Sequence, residues 1–280
     1  MNKFNCALLI VCIVLGLSGC GNDQYSIEKE YWKTQKIAER ILKDPVSSPP
    51  KQLESAVKAL NNFIKSHPGN NLSLISEFNI AQLYMIKEEY GKSRIQLNSI
   101  IKKFKSSAAI CSEAVFLIGN SYEKEDKWDM ALNQYELIMK EYPLTAKGFD
   151  MPIYITRYYN LKHQPEKMVE AFQDAIVYYK ALAKKYPDSK VSFNAHFMVV
   201  QCYSTLKDWP NAVASLNIII EKYKGKVPLD GVLMSLSVIY MDGLNQRDKA
   251  VATLKEMLKD YPKSRMVGVA KEMLKKAGEK

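Results

Sequence analysis

Residues 119–143 read GNSYEKEDKWDMALNQYELIMKEYP, and this stretch decides the fold. Its second half carries four residues at the 4, 3, 4 spacing of one α-helix face: Ala131, Tyr135, Ile138 and Tyr142. Pro143 marks a point where that helix must already have ended, because proline removes a backbone donor and restricts the preceding residue. Gly119 and Tyr122 belong to an earlier helix, and the polar residues between them and Trp128 form the turn. The stretch therefore predicts a helix–turn–helix unit.

The unit recurs along the chain at intervals of 37, 38, 44, 37 and 38 residues. Each copy ends on an aromatic residue or histidine followed by Pro or Lys: His67-Pro68, Phe104-Lys105, Tyr142-Pro143, Tyr186-Pro187, Tyr223-Lys224 and Tyr261-Pro262. A small residue stands eleven positions before each of these ends, where it lets a neighbouring helix approach: Ala56, Ser93, Ala131, Ala175, Ala212 and Ala250. The long interval predicts about seven further residues in the fourth copy, around Leu161 to Lys167.

This pattern resembles the tetratricopeptide repeat, a helix–turn–helix unit with a period of about 34 residues. The resemblance covers residues 52 to 263 and implies an all-α fold, a right-handed α-α superhelix of about six repeats. We expect the repeat array to span residues 26–263. Residues 264–280 then form a capping helix and tail, since an open array needs a cover for the apolar face of its last repeat.

The amino-terminal residues predict export and lipid anchoring. The apolar run Ala7–Leu17 is too short to cross a bilayer, and with Lys3 before it and small residues after it residues 1–19 are typical of a secretory signal peptide. The sequence Leu17-Ser18-Gly19-Cys20 resembles the lipobox of bacterial lipoproteins, which implies that Cys20 is the lipidated first residue of the mature chain. Residues 20–25 then form a short linker, and the residue after the cysteine, a glycine, implies the outer membrane. A buried amino-terminal helix is the alternative, but the run shows no apolar stripe.

The sequence shows no residue pattern that indicates catalysis. His67, His163 and His196 lie in different repeats, and no His or Cys pair has the spacing of a zinc site. Motifs for nucleophilic catalysis or phosphate binding are missing, so we expect no enzyme activity, no cofactor and no metal. Cys111 and Cys202 are expected to be buried free thiols. The net charge of +10 comes mainly from lysine, which suits acidic protein segments or anionic envelope polymers, or only a solvated surface; export excludes nucleic acid.

The resemblance also implies a binding groove, because the first helices of tetratricopeptide repeats line the concave side of the array. In the first helices a small or short residue recurs at Ala81, Gly119, Thr156 and Ser237, and Val200 takes the same place in the fifth repeat although valine is not small. Three positions before these residues stand five apolar ones: Phe78, Phe116, Ile153, Phe197 and Met234. One turn later stand Gln82, Asn120, Arg157, Gln201 and Val238, which place amide groups and one arginine beside the apolar stripe. Such a groove suits an apolar or extended peptide. The alternative is that the apolar stripe belongs to the core.

Lipobox, repeat array and Tyr-Pro loops such as Tyr142-Pro143-Leu144 and Tyr186-Pro187-Asp188 together resemble the BamD family, the lipoproteins of the outer-membrane β-barrel assembly machinery. This resemblance implies a non-catalytic scaffold on the periplasmic face of the outer membrane, held there by its lipid. Its partners would be envelope proteins, among them the barrel-forming subunit of that machinery. Two alternatives stay open: another envelope organiser, such as a cell-division coordinator or a pilus or secretion pilot lipoprotein, and an envelope enzyme.

Overall fold

The computed structural model describes residues 22–43 and 48–278, so the predicted signal peptide and Cys20 lie outside the described residues. Every regular element of the described residues is helical. In chain order the helices are α1 Asn22–Lys43, α2 Pro50–Ser66, α3 Asn71–Ile86, α4 Tyr90–Lys103, α5 Ala108–Lys124, α6 Trp128–Glu141, α7 Ala146–Leu161, α8 Pro165–Lys185, α9 Lys190–Thr205, α10 Trp209–Tyr223, α11 Asp230–Val238, α12 Arg247–Asp260 and α13 Val267–Lys276. A π-helical turn, Ile239–Gly243, continues α11. None of the described helices is long and apolar enough to span a membrane.

The described helices form six consecutive pairs, followed by α13. Helices α1 to α4 belong to one compact unit and α5 to α13 to a second, with the division after Lys103. Within each pair the two helices pack on each other, and the small residues predicted for the second helices are buried at these contacts: Ala56, Ser93, Ala131, Ala175, Ala212 and Ala250. The predicted all-α fold of repeated helical pairs is confirmed.

The turns inside the second to sixth pairs share one backbone geometry. Each has a residue in the left-handed region, with φ between 52° and 61°: Glu88, Asp126, His163, Lys207 and Asn245. The amide of the next residue donates to the carbonyl of a tyrosine near the end of the first helix, which closes that helix end: Tyr84, Tyr122, Tyr159, Tyr203 and Tyr240. The last turn has one extra residue, and the π-helical turn absorbs it.

The extra length of the fourth repeat lies in its second helix. The turn around His163 has the same geometry as the others, so the expectation of an insertion between Leu161 and Lys167 is corrected. Helix α8 has 21 residues, whereas α6 and α12 have 14 each. Seven added residues make about two helical turns, which leaves the apolar face in phase. Ala175 and Tyr179 are accordingly buried at the expected positions.

Helix α13 covers the end of the second unit. Its buried Ala270 packs with Leu233, Leu254 and Met257 of α11 and α12, and Met273 adds a partly buried contact. The apolar face of α12 is thereby removed from solvent, as a terminal repeat requires.

Candidate functional site

A cleft of about 690 Å³ opens in the second unit between the first helices of its repeats. Five of the predicted groove residues line it together: Ile153, Arg157, Phe197, Gln201 and Met234. They come from α7, α9 and α11, which place the same repeat positions side by side. Phe172 of α8 and Trp209 of α10 also line the cleft, together with Val238.

The cleft combines an apolar floor with a polar edge. Phe197 and Met234 are half-buried. Arg157 lies one turn after Ile153 on α7 and Gln201 one turn after Phe197 on α9, and both are exposed. Three of the lining hydroxyls donate to carbonyls of their own helices: Thr156 to Ile153 at 2.8 Å, Thr205 to Gln201 at 2.9 Å and Ser235 to Gly231 at 2.9 Å. Arg157 and Gln201 are therefore the long polar side chains that can reach a bound molecule. Arginine offers donors to a carboxylate or carbonyl, and the amide offers both a donor and an acceptor to a peptide backbone.

Phe116 and Asn120 occupy the same repeat positions but do not line the cleft. The Phe116 ring packs against Tyr135 and Tyr154, with ring centroids 5.9 and 5.4 Å away. The ammonium nitrogen of Lys147 lies 3.8 Å from the centroid of the same ring, a cation–π contact that covers it. The Asn120 Oδ1 atom lies 3.0 and 3.2 Å from the hydroxyl oxygens of Tyr135 and Tyr154. In this repeat the predicted groove residues therefore join neighbouring helices.

A carboxylate completes that network. Glu123 accepts hydrogen bonds from Tyr135 and from Tyr154, the latter at 2.8 Å. Burial, with a smaller contribution from the Glu123 charge in the case of Tyr154, raises the pKa of both phenols well above the usual 10. Both hydroxyls therefore stay protonated near neutral pH and act as hydrogen-bond donors that join neighbouring helices.

The remaining predicted groove residues, Phe78 and Gln82, lie on α3 of the first unit. Phe78 is half-buried and Gln82 is exposed. They belong to a different compact unit from the cleft. The cleft is therefore built from the fourth, fifth and sixth repeats alone.

Trp209 is not among the groove residues predicted from the sequence, yet it forms one wall of the cleft. Gly243 in the π-helical turn makes room for it, because a Cβ atom there would lie 2.7 Å from the indole ring. The signal in the sequence is Gly243, which stands two positions before Asn245. The other repeats carry longer side chains at the corresponding place. Trp128, the equivalent residue of the third repeat, instead stacks on Tyr158 with ring centroids 3.3 Å apart.

Among the described residues, no group of three or more His, Cys, Asp or Glu side chains could hold a metal ion. Cys111 and Cys202 are both buried thiols outside any disulfide, as expected, and burial raises the pKa of the Cys202 thiol to about 12. Burial, and the nearby Lys222 charge, lower the pKa of His196, whose ring packs 6.2 Å from that of Tyr223.

Two segments match the family model of the tetratricopeptide repeat, residues 113–145 and residues 232–264. The first covers most of α5 and all of α6, and the second covers the helices from α11 to α12. The chain contains tetratricopeptide repeats. The other four helical pairs share the turn geometry or the small-residue contacts of these two.

Solved structures are similar to this chain at low identity. The domain of yeast Sti1 described as a TPR2AB-domain:pHSP90-complex is 14% identical, over 91% of this chain and 100% of that chain, with a TM-score of 0.35. BtubC from P. vanneervenii is 13% identical, over 86% and 91% of the two chains, with a TM-score of 0.39. A tetratricopeptide repeat protein from Parabacteroides merdae is 12% identical, over 90% and 100%, with a TM-score of 0.34. No curated protein matches the chain.

Proposed function

We propose that this chain is a non-catalytic scaffold that holds a segment of another protein in the cleft between α7, α9 and α11. The observation that supports it is the juxtaposition of an apolar floor, Phe197 and Met234, with the exposed Arg157 and Gln201. Tetratricopeptide repeats serve chiefly as binding surfaces. The cleft has the volume of an ordinary ligand pocket, and an extended peptide would place one large apolar side chain in it.

The chemistry of the edge favours a peptide with an acidic group next to its apolar residue. Arg157 can bind a carboxylate with two parallel hydrogen bonds, and Gln201 can pair with a backbone amide. Both side chains are exposed on neighbouring first helices, so a peptide that crosses α7 and α9 meets them in turn. Some cytosolic tetratricopeptide domains clamp the carboxylate at the end of a partner chain with lysine and asparagine side chains. This chain has Phe116 and Phe197 where such a clamp needs lysine, so a chain-terminal carboxylate is not the ligand that we propose.

The proposal places the scaffold on the periplasmic face of the outer membrane, anchored by lipid on Cys20. Its support is the lipobox-like sequence Leu17-Ser18-Gly19-Cys20 at the end of an apolar run of signal-peptide length. Each buried methylene group of an acyl chain contributes about 0.8 kcal/mol to anchoring, so two or more chains hold a protein firmly. At that site the partners would be envelope proteins, first among them a subunit of the β-barrel assembly machinery.

The test is purification of the lipidated protein from its own envelope in mild detergent, followed by mass spectrometry of the proteins bound to it. The variant Arg157→Glu reverses the charge at the cleft, and Arg265→Glu makes the same change at an exposed position outside it. A third variant, Ser235→Tyr, fills the cleft with the side chain that Tyr154 provides at the same repeat position in α7.

We expect barrel-assembly subunits with the parent protein and with Arg265→Glu. Arg157→Glu and Ser235→Tyr should each lower their yield at least tenfold while helical content stays unchanged. Division, pilus or secretion proteins in their place would favour the other envelope roles. Equal yields from all four proteins would show that the cleft does not bind the partner.

A further inference from the structure

Helix α1 has one face that belongs to the core of the first unit. Tyr31, Ala38 and Ile41 are buried against α2 and α3. The Tyr31 ring packs 5.6 Å from that of Phe63, and its hydroxyl accepts from the amide of Asn79 at 3.2 Å. These contacts fix which side of α1 points away from the core of the first unit.

The opposite face carries aromatic and basic side chains in one line. Tyr25, Lys29, Trp32, Lys36 and Lys43 follow at intervals of 4, 3, 4 and 7 residues, which is one stripe of an α-helix. Tyr25 is 71% exposed and Trp32 is 58% exposed, and all three lysines are exposed. Tryptophan is rarely left so open to solvent, since it has the largest apolar surface of any side chain.

Charge on this face is predominantly positive. Lys33 extends the basic stripe on one side, and Glu28 and Glu39 border it on the other. Glu30 is directed elsewhere, since its carboxylate lies 3.0 Å from the Nε2 atom of His67. Exposed tryptophan and tyrosine side chains beside lysines are typical of helices that lie at a membrane–water interface. The rings sit among the headgroups, and each lysine near an anionic surface adds about 1 kcal/mol of attraction.

We propose that the outer face of α1, defined by Tyr25, Lys29, Trp32, Lys36 and Lys43, lies against the surface of an anionic phospholipid bilayer. The inference rests on the proposed lipid anchor, because Cys20 precedes the first residue of α1 by two positions. The five residues from Cys20 to Tyr25 span at most about 18 Å even when fully extended. An acylated Cys20 therefore keeps the Tyr25 end of this face within reach of the headgroups, and contact along the rest of the face orients the first unit on the membrane.

The test uses the mature lipidated chain in vesicles of phosphatidylethanolamine and phosphatidylglycerol, with brominated lipid as a quencher of tryptophan emission. Of the three tryptophans in the sequence, Trp128 stacks on Tyr158 and Trp209 lines the cleft, so both serve as internal references. The variant Trp32→Phe removes the reporter. The pair Lys29→Glu with Lys36→Glu reverses the charge of the face, and Lys271→Glu with Lys275→Glu is the matched pair on α13.

We expect brominated lipid to quench the parent protein and the α13 pair alike. Trp32→Phe should abolish at least two thirds of that quenching, and the α1 pair should reduce it at least twofold in anionic vesicles. Unchanged quenching in Trp32→Phe, or no quenching of a chain that floats with the vesicles, would overturn the inference. Protection of Trp32 by a co-purified protein instead of lipid would overturn it too.

The anchor is tested separately in the same samples. Mass spectrometry of the amino-terminal peptide reports acylation of Cys20, and flotation reports attachment to vesicles. An acylated, floating chain whose Trp32 is not quenched refutes the α1 inference and leaves the anchor intact. A chain without acyl groups refutes the anchor; if Trp32 of that chain is still quenched by anionic vesicles, the α1 face binds the bilayer by itself.

Discussion

Replacement of Tyr178 by Phe tests how the protein tolerates a proline inside a helix. Pro152 lies within α7 and has no amide hydrogen, so it cannot donate to the carbonyl of Gly148, four residues earlier. The Tyr178 hydroxyl donates to that carbonyl at 3.0 Å. Removal of the hydroxyl leaves a buried acceptor without this donor, which costs about 1–3 kcal/mol. We expect Tyr178→Phe to lower the free energy of unfolding by about 1.5 kcal/mol.

The decisive measurement is a double-mutant cycle with Pro152→Ala. Alanine restores a backbone donor for Gly148, so Tyr178→Phe should then cost about 0.5 kcal/mol or less, a coupling energy near 1 kcal/mol. Tyr179→Phe is the matched control. Its hydroxyl donates to Phe149 at 2.7 Å, and the helical donor of that carbonyl, Ile153, is present in both backgrounds.

Urea unfolding followed by far-ultraviolet circular dichroism gives the four free energies, with the denaturant slope checked for each variant. We predict that the free-energy cost of Tyr178→Phe depends on residue 152 and that the cost of Tyr179→Phe does not. Equal costs of Tyr178→Phe in both backgrounds would show that its hydroxyl does not replace the missing amide.

Three further predictions follow from local geometry. Gly119→Ala should lower the free energy of unfolding in urea by about 1–3 kcal/mol, because its Cβ atom would lie 2.3 Å from the buried ring of Tyr135. Gly91→Ala is the control and should not destabilise the chain, because its Cβ atom would have no atom within 4 Å. Lys207→Gly should raise the free energy of unfolding by about 0.5 kcal/mol, since glycine adopts the φ of 57° without strain. A loss of stability would contradict this. The folded-state pKa of Cys202 is about 12, above the ordinary 9.0, so its contribution to stability is present below pH 9 and is lost as pH rises from 9 towards 12. Cys202→Ser should reduce that alkaline loss, and an unchanged pH profile would refute the assignment.

The helical pairs could be predicted because their signals are local. Small residues, the spacing of apolar positions and the residues that end each second helix all depend on the chain near them, and Ala131 and Tyr135 illustrate this. The position of the extra turns in α8 could not be predicted. Seven residues leave a helical stripe in phase, so nothing in the pattern distinguishes a longer helix from a longer turn.

The cleft could be predicted only in part, because a neighbouring repeat decides whether a groove position is open. Phe116 and Phe197 are equivalent in the repeat. Tyr154 of the next repeat packs on Phe116, whereas the same place beside Phe197 is taken by Ser235, which is small and lines the cleft. The residues of one helix alone therefore do not show whether a groove position is covered by the next repeat. The open site can be found by comparing each apolar groove residue with the residue that follows the groove residue of the next repeat. That residue is Tyr154 beside Phe116 and Ser235 beside Phe197.

The most direct test of the scaffold account is photocrosslinking in living cells from two positions of the full chain. A photoreactive amino acid at Gln201 lies at the edge of the cleft, and one at Asn217 lies on an exposed part of α10 outside it. We predict a discrete adduct with an envelope protein from position 201, none from position 217, and loss of the first when Ser235→Tyr is added. No adduct from position 201, or the same adduct from both positions, would contradict the claim that this cleft is where the protein binds its partner.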